Sequence, residues 1–424
     1  MNFQIHEEVA MKITGLTYEG MGIGEDATGR RAFVWNALVG EEVVVEIMKY
    51  KRGNFYGIAT TVNKPSSDRV APKEEYFLSS SPWQIMSREL ERKSKTMILF
   101  DVFRSVPATL PEIGFIDAPL EYGYRTKMEF GFHAEPTLSL AGFDRMGRGR
   151  IRIKGSALAT DAVNNTAQRV VDNLVENKAL PQVLKSLIVR ANSKGETVVA
   201  LFVIDEKNPL DESILGNGLV GVSVYFSDPQ SPASVPTKFL GSFGKNRITE
   251  TIRGREFEFE ILSFMQVNVP VFEKTLDRIS SFIKNTSAIV DMYSGVGSIG
   301  LSVDVVKRTL VEIESTSVAC ARANAERNGI VAEIIESPSE RAYEYISADA
   351  TLILDPPRVG LHPKIIKVIK AVKPQIIVYL SCNPKTQGRD LIPLVSDYEV
   401  VFMEGYNFFP RTPHVECLVI LKKK

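Results

Sequence analysis

Three side chains late in the sequence have the types and settings needed for covalent chemistry. Cys382 closes the apolar run in YLSCNPKT, and Asn383-Pro384 ends that run at once, so the thiol falls at the rim of a strand. Glu416 is the odd residue in HVECLVIL; a carboxylate desolvated in such a segment has a raised pKa and is a better base near neutrality. Asp355 ends LILD and is followed by Pro356-Pro357-Arg358, where two rigid prolines present the acid outward. Each residue also has a plainer reading: core packing for Cys382, a solvent-facing edge-strand position for Glu416, a helix-capping turn for Asp355. As a set they supply a nucleophile, a base and a fixed acid, which suits alkylation of a ring carbon that is too weak a nucleophile by itself. Carbon 5 of uracil is such an atom. A thiolate added at carbon 6 makes carbon 5 enolate-like, carbon 5 takes a methyl group from a sulfonium, and a base then removes its proton so that the thiolate can leave.

A second constellation lies upstream. Asp291-Met-Tyr-Ser-Gly295-Val-Gly297-Ser-Ile-Gly300 follows an apolar strand, and its glycines let the backbone turn sharply and approach a ligand. Glu314 ends the next predicted strand, where a carboxylate can take both hydroxyls of a ribose. Dinucleotide dehydrogenases use the same device, so the motif alone leaves NAD, S-adenosylmethionine and a ligand-free tight turn open. Asp291 before the glycines tilts the reading toward S-adenosylmethionine, as does the Cys, Glu and Asp set downstream.

The elements that must position these residues show in the rhythm of the chain. After residue 269, candidate strands at 288–293, 309–314, 332–337, 350–355, 375–382, 399–405 and 415–422 alternate with helical patterns such as 317–328 and 363–372. This predicts a Rossmann-like, doubly wound sheet of seven strands, whose carboxyl ends carry ligands and chemistry. A loop with Pro410 and Pro413 separates the last two strands, which favours an antiparallel final strand. The first sixty residues read as short strands at 8–16, 31–35, 42–49 and 55–62 with glycines between them, the pattern of a small oligonucleotide-binding barrel. A linker at 65–72 and an amphipathic helix at 87–106 follow. A β-rich stretch over 122–261 includes strands at 198–204 and 221–226 and a hairpin turning at Arg253-Gly254. The fold class is therefore α/β and β, multidomain.

The 424 residues, 44% hydrophobic and 24% charged, suit two or three globular domains. No leader pattern and no apolar run of the roughly 20 residues a membrane span requires is visible. Three cysteines, Cys320, Cys382 and Cys417, suit a reducing cytoplasm. Net charge is zero, yet basic residues clump at Lys49, Lys51 and Arg52, at Arg145, Arg148, Arg150, Arg152 and Lys154, and at Lys245, Arg247, Arg253 and Arg255. Any one clump reads equally well as solvated surface; three on a neutral chain point to a local phosphate-binding face.

These residues resemble the RNA 5-methyluridine methyltransferases that act on transfer and ribosomal RNA. The resemblance spans nearly the whole chain and rests on TYEGMGIGED, RRAFVWNALVGEEVVVEI, YRTKMEF, SFMQVN, DMYSGVGSIGL, LILDPPRVGLH, YLSCNP and TPHVECLVIL. It implies a TRAM-like RNA-binding barrel at 1–62, a central β-rich domain at 63–86 and 119–262, and a catalytic domain at 87–118 and 263–424. It also implies that Cys382 is the nucleophile and Glu416 the base. Gln266, Tyr293, Gly295, Gly297, Ser298, Glu314 and Asp355 would face S-adenosylmethionine, with Phe264, Arg125 and Asp355 toward a flipped uracil. A monomer acting on ribosomal RNA before transfer RNA is expected; the alternatives are an RNA-binding protein with a vestigial site, or a methyltransferase for another base. Many TRAM-bearing relatives hold an iron–sulfur cluster through four cysteines. Here Glu74, Leu78, Ser81 and Ser156 stand in that region, so no cluster and no metal are expected.

Overall fold

The computed structural model describes residues 3–145, 149–231 and 234–424. At the N-terminus, alternation builds a barrel. In β1 (Glu8–Leu16), Val9, Met11 and Ile13 face inward while Glu8 and Lys12 face out. With β2 (Gly22–Glu25), β3 (Arg31–Trp35), β4 (Glu42–Lys51) and β5 (Asn54–Lys64) it closes in the order β1-β2-β3-β5-β4. The four-residue β2 was not visible in the sequence pattern.

Helix α1 (Arg88–Phe103) begins at the Ser87 cap, whose hydroxyl accepts from the Leu90 amide, and is followed by β6 (Ile113–Ile116). The central domain holds β7 (Lys127–His133), β8 (Ser139–Phe143), β9 (Arg150–Arg152), α2 (Asp161–Glu176), β10 (Leu184–Ala191), β11 (Thr197–Val203), β12 (Leu219–Phe226) and β13 (Lys238–Gly244). Its strands form one sheet in the order β13-β12-β11-β10-β7-β8-β9. The hairpin β14 (Arg247–Ile252) and β15 (Arg255–Glu260) turns at Arg253-Gly254, as the sequence indicates. Its Ile248, Ile252, Phe257 and Phe259 share one core with Val198 and Phe202 of the central sheet and with Phe272 and Leu310 of the catalytic layer, so the hairpin bridges the two.

The catalytic layer follows: α3 (Val269–Phe282), β16 (Ala288–Met292), β17 (Lys307–Glu312), α4 (Ser315–Arg327), β18 (Glu333–Glu336), β19 (Thr351–Leu354), α5 (Pro363–Val372), β20 (Ile376–Ser381), α6 (Pro384–Leu391), β21 (Tyr398–Tyr406) and β22 (Glu416–Lys423). The sheet has eight strands, β18-β17-β16-β19-β20-β22-β21-β6, and not seven, because β6 pairs in parallel with β21 at the edge. β22 runs antiparallel to both neighbours, the arrangement its short connection from β21 permits. Among the described residues no helix is long and apolar enough to cross a membrane.

Candidate active site

The carboxyl ends of β16, β17, β19 and β20 and the start of β22 open on one cavity of about 750 Å³. Register brings the two proposed reactive groups together. Ser381 of β20 pairs with Cys417 of β22, so Cys382, one step beyond, stands beside Glu416, one step before. Asp355 follows β19 directly, and all three line the cavity. Cys320 and Cys417 are fully buried in the core, which leaves Cys382 as the cysteine that reaches the cavity.

Glu416 is only 2% exposed, and its Oε2 is buried with no hydrogen-bond partner in the described structure. An orphaned carboxylate oxygen is costly, and it marks a position where a ligand atom belongs. Burial first, then the nearby Asp355 carboxylate, holds the Glu416 pKa well above the usual range. Burial also lifts Asp355 to about 7. Burial, Glu416 and Asp355 push the Cys382 thiol up to about 11, opposed by the Arg358 guanidinium. At neutral pH the thiol thus holds its proton.

The glycine loop forms the other end of the cavity. Gly295 adopts φ +56° and its amide donates to Glu312 Oε2 at 2.9 Å. Asp291 lies beneath the loop, fully buried, and accepts from the Gly300 amide at 2.8 Å; burial raises its pKa to about 8. Gly297 and Ser298 shape this turn and do not line the cavity. Glu314 requires correction. The strand ends at Glu312, two residues early, and Glu312 lines the cavity. Glu314 instead caps α4, accepting from the Thr316 and Ser317 amides at 3.1 and 2.7 Å. The sequence carried a signal for this: an acid before Ser-Thr-Ser at a helix start is a capping pattern, and the fixed cap leaves the strand-end position to Glu312.

Gln266, Tyr293, Phe264 and Arg125 also line the cavity, with Phe264 63% exposed at its mouth. Two supports were missed in the sequence. Arg190, fully buried on β10, donates to the Ser263 carbonyl and, at 2.9 Å, to the Met265 carbonyl, so the central domain fixes the segment that presents Phe264 and Gln266. On α1, Lys95 pairs with Glu91 at 2.8 Å and donates to the Phe409 carbonyl at 3.0 Å. Glu91 accepts from the Arg411 amide, and Arg411 sits at φ +65°; this buried network sets the loop that leads to Glu416.

The basic clumps separate in space. Arg247, Arg253 and Arg255 pair with Glu258, Asp277 and Asp304, and Lys245 with Glu196 at 3.7 Å, so each cation of the third clump has a carboxylate partner. Arg150 and Arg152 donate to the carbonyls of Lys185 and Thr137, and Arg148 lies outside the described residues. Lys49 lies 5.4 Å from the ring of Tyr56.

Residues 238–424 match the family described as tRNA (Uracil-5-)-methyltransferase, and residues 3–62 match the TRAM domain. An RNA methyltransferase of Thermotoga maritima is 26% identical over 436 residues, covering 97% of this chain and 98% of that protein. Another, from Caldanaerobacter subterraneus subsp. tengcongensis, is 28% identical over 455 residues, covering 98% and 99%. Among solved structures, the Pyrococcus abyssi tRNA (uracil-54, C5)-methyltransferase in complex with S-adenosyl-L-homocysteine has the same fold. Its TM-score is 0.81, at 22% identity, covering 97% of this chain and all of that one. By these matches residues 238–424 carry the uracil-5-methyltransferase signature and residues 3–62 a TRAM domain, and the relatives that span the whole chain are RNA methyltransferases. Around Glu74 and Ser81 the structure has a hydrogen-bonded knot. Glu74 accepts from Gln84 Nε2 at 3.0 Å and from the Ala157 amide at 2.8 Å, and Gln84 also donates to Ser81 at 2.7 Å. Burial raises the pKa of Glu74, and the knot ties residues 74–84 to the loop at Ala157.

Proposed function

We propose that the enzyme transfers a methyl group from S-adenosylmethionine to carbon 5 of a uridine in RNA through a covalent adduct on Cys382, with Glu416 as the base. The observation that carries this reading is that Cys382 and Glu416, each one step beyond the Ser381–Cys417 pair, line one cavity, with an oxygen of Glu416 buried and unpartnered. The site fits the methyl donor. Glu312 at the end of β17 suits a ribose, Gly295 lets the backbone come close, and about 750 Å³ leaves room for a flipped base beside it. S-adenosylmethionine supplies the methyl group and a positive sulfonium that favours ionised forms of the acidic groups around it. Cys382 gives its proton to solvent water and adds to carbon 6, and the displaced electron pair passes through carbon 5 to the methyl group, whose bond to sulfur breaks with its electron pair left on the donor as S-adenosylhomocysteine. Glu416 then takes the carbon 5 proton, and the returning pair expels the thiolate. Asp355, Phe264 and Arg125 face the base.

The TRAM-like barrel supports ribosomal RNA as substrate. Transfer RNA is the second reading, supported by the Pyrococcus abyssi tRNA (uracil-54, C5)-methyltransferase, which shares the whole architecture. The test is incubation with methyl-labelled S-adenosylmethionine and RNA from cells lacking the gene, followed by nucleoside mass spectrometry. Label in 5-methyluridine at one ribosomal position is expected; label in a cytosine or purine, or none, would overturn the reading.

A further inference from the structure

A groove of about 590 Å³ separates the barrel from the catalytic layer and meets the active-site cavity at Cys382, Arg358 and His414, which line both. Tyr18 and Trp35 face it from the barrel, and Arg145 and Lys385 from the other domains. Rings and cations are paired, with Lys385 Nζ 4.0 Å from the centre of Tyr18 and the Arg145 guanidinium 4.4 Å from that of Trp35. Lys385 has a counter-charge in Glu19 at 3.3 Å. Arg145 donates to the Leu78 carbonyl and Arg358 to His414, and neither pairs with a carboxylate among the described residues. His414, whose pKa burial and nearby cations lower to about 4, is neutral and balances nothing. The groove therefore carries two uncompensated guanidinium groups beside two aromatic rings. It is tied to the nucleophile as well. Tyr18 donates to Asn383 Oδ1 at 3.2 Å, next to Cys382, and Asn383 Nδ2 donates to the Arg358 carbonyl at 2.8 Å.

We propose that this groove is a second nucleotide subsite, which holds the nucleotide beside the target uridine, its phosphate at Arg145 and Arg358 and its base against Trp35 and Tyr18. The inference rests on the reading above that the substrate is RNA. Guanidinium groups that lack carboxylate partners suit a phosphodiester, and aromatic rings beside them suit an unstacked base of any identity. The target uridine then lies in a stretch of at least two consecutive unpaired nucleotides.

The chain has two tryptophans, Trp35 in the groove and Trp83 at 1% exposure, so intrinsic fluorescence reports on the subsite. Titration of the full chain with a ten-residue oligouridylate should quench the emission, and Trp35→Phe should remove that quench. Trp35→Ala should weaken binding about 5- to 150-fold. Arg145→Gln should lower the slope of log affinity against log salt by about 0.7. Formation of 5-methyluridine in RNA from cells lacking the gene is followed with the same proteins. Methylation with a silent Trp35, and with wild-type affinity and slope in Arg145→Gln, would overturn the subsite and leave the proposed function standing. Quenching and slope changes as stated, without methylation of any uridine, would uphold the subsite and sink the proposed function. Should Trp35→Ala fail to fold, the wild-type quench and Arg145→Gln decide the matter. A mapped uridine whose two neighbours are both base-paired would also contradict the proposal.

Discussion

Replacing Glu312 by alanine separates the two candidate ribose acids. Glu312 accepts from three amides, those of Ile313, Glu314 and Gly295, so its carboxylate is fixed before any ligand arrives. If it takes both ribose hydroxyls through charged hydrogen bonds of about 1.5–3 kcal/mol each, Glu312→Ala loses about 3–6 kcal/mol of binding. That is a rise in Kd for S-adenosylmethionine on the order of 10²- to 10⁴-fold. Glu314→Ala removes only a helix cap, made to Thr316 and Ser317, and should cost about 1 kcal/mol of stability with affinity unchanged. Titration calorimetry measures the first quantity and urea unfolding the second. A large loss of affinity in Glu314→Ala, with Glu312→Ala binding like the wild type, would refute the reasoning and return the role to Glu314.

Arg190→Met leaves the Ser263 and Met265 carbonyls without their donor and should cost about 2–4 kcal/mol in urea unfolding, with a raised KM for RNA as Phe264 and Gln266 shift. An unchanged midpoint and KM would remove Arg190 as a support. Burial raises Asp355 to about 7 and Asp291 to about 8, from 3.8 for a free Asp. Acids raised in the folded state contribute stability that is full below their unfolded pKa and is lost as pH rises through the folded value. Unfolding midpoints should therefore fall from about pH 4 to about pH 8, and Asp291→Asn should flatten the upper part of that decline; a flat wild-type profile would contradict this. Protein purified without oxygen should be colourless and free of iron, since no cysteine lies near Glu74, Ser81 and Ser156. About four irons per chain would overturn that expectation.

The rim of the catalytic sheet was legible because apolar runs ended in chemistry. LILD, YLSC and the Glu416 of HVEC each place a polar residue at the end of a buried strand, and the sheet gathers them. The end of β17 was not, because Glu312 and Glu314 share a strand face by parity and hydropathy alone does not choose between them. Only the helix cap, a local hydrogen-bond pattern, fixes which one is released to the cavity. The eighth strand escaped because IGFI is four residues long and its partner β21 lies almost 300 residues downstream in spatial register. Arg190 escaped for a similar reason: its value lies in two carbonyls more than 70 residues away, which no spacing rule reveals. The clump around Arg247 misled in the opposite sense, since the acids that neutralise it come from the facing strand β15 and from helices and loops across the core.

In the proposed mechanism Cys382 attacks carbon 6 before methyl transfer and Glu416 removes the carbon 5 proton after it. Glu416→Gln separates those steps, because the amide keeps the size of the side chain and cannot accept the proton. Incubated with S-adenosylmethionine and substrate RNA, Glu416→Gln should accumulate methylated RNA joined to the protein, seen as a shifted band that survives denaturing electrophoresis and maps to Cys382. Cys382→Ala and the double variant should form no such band while still binding RNA. Full turnover by Cys382→Ala, or an adduct mapped to Cys320 or Cys417, would contradict the mechanism.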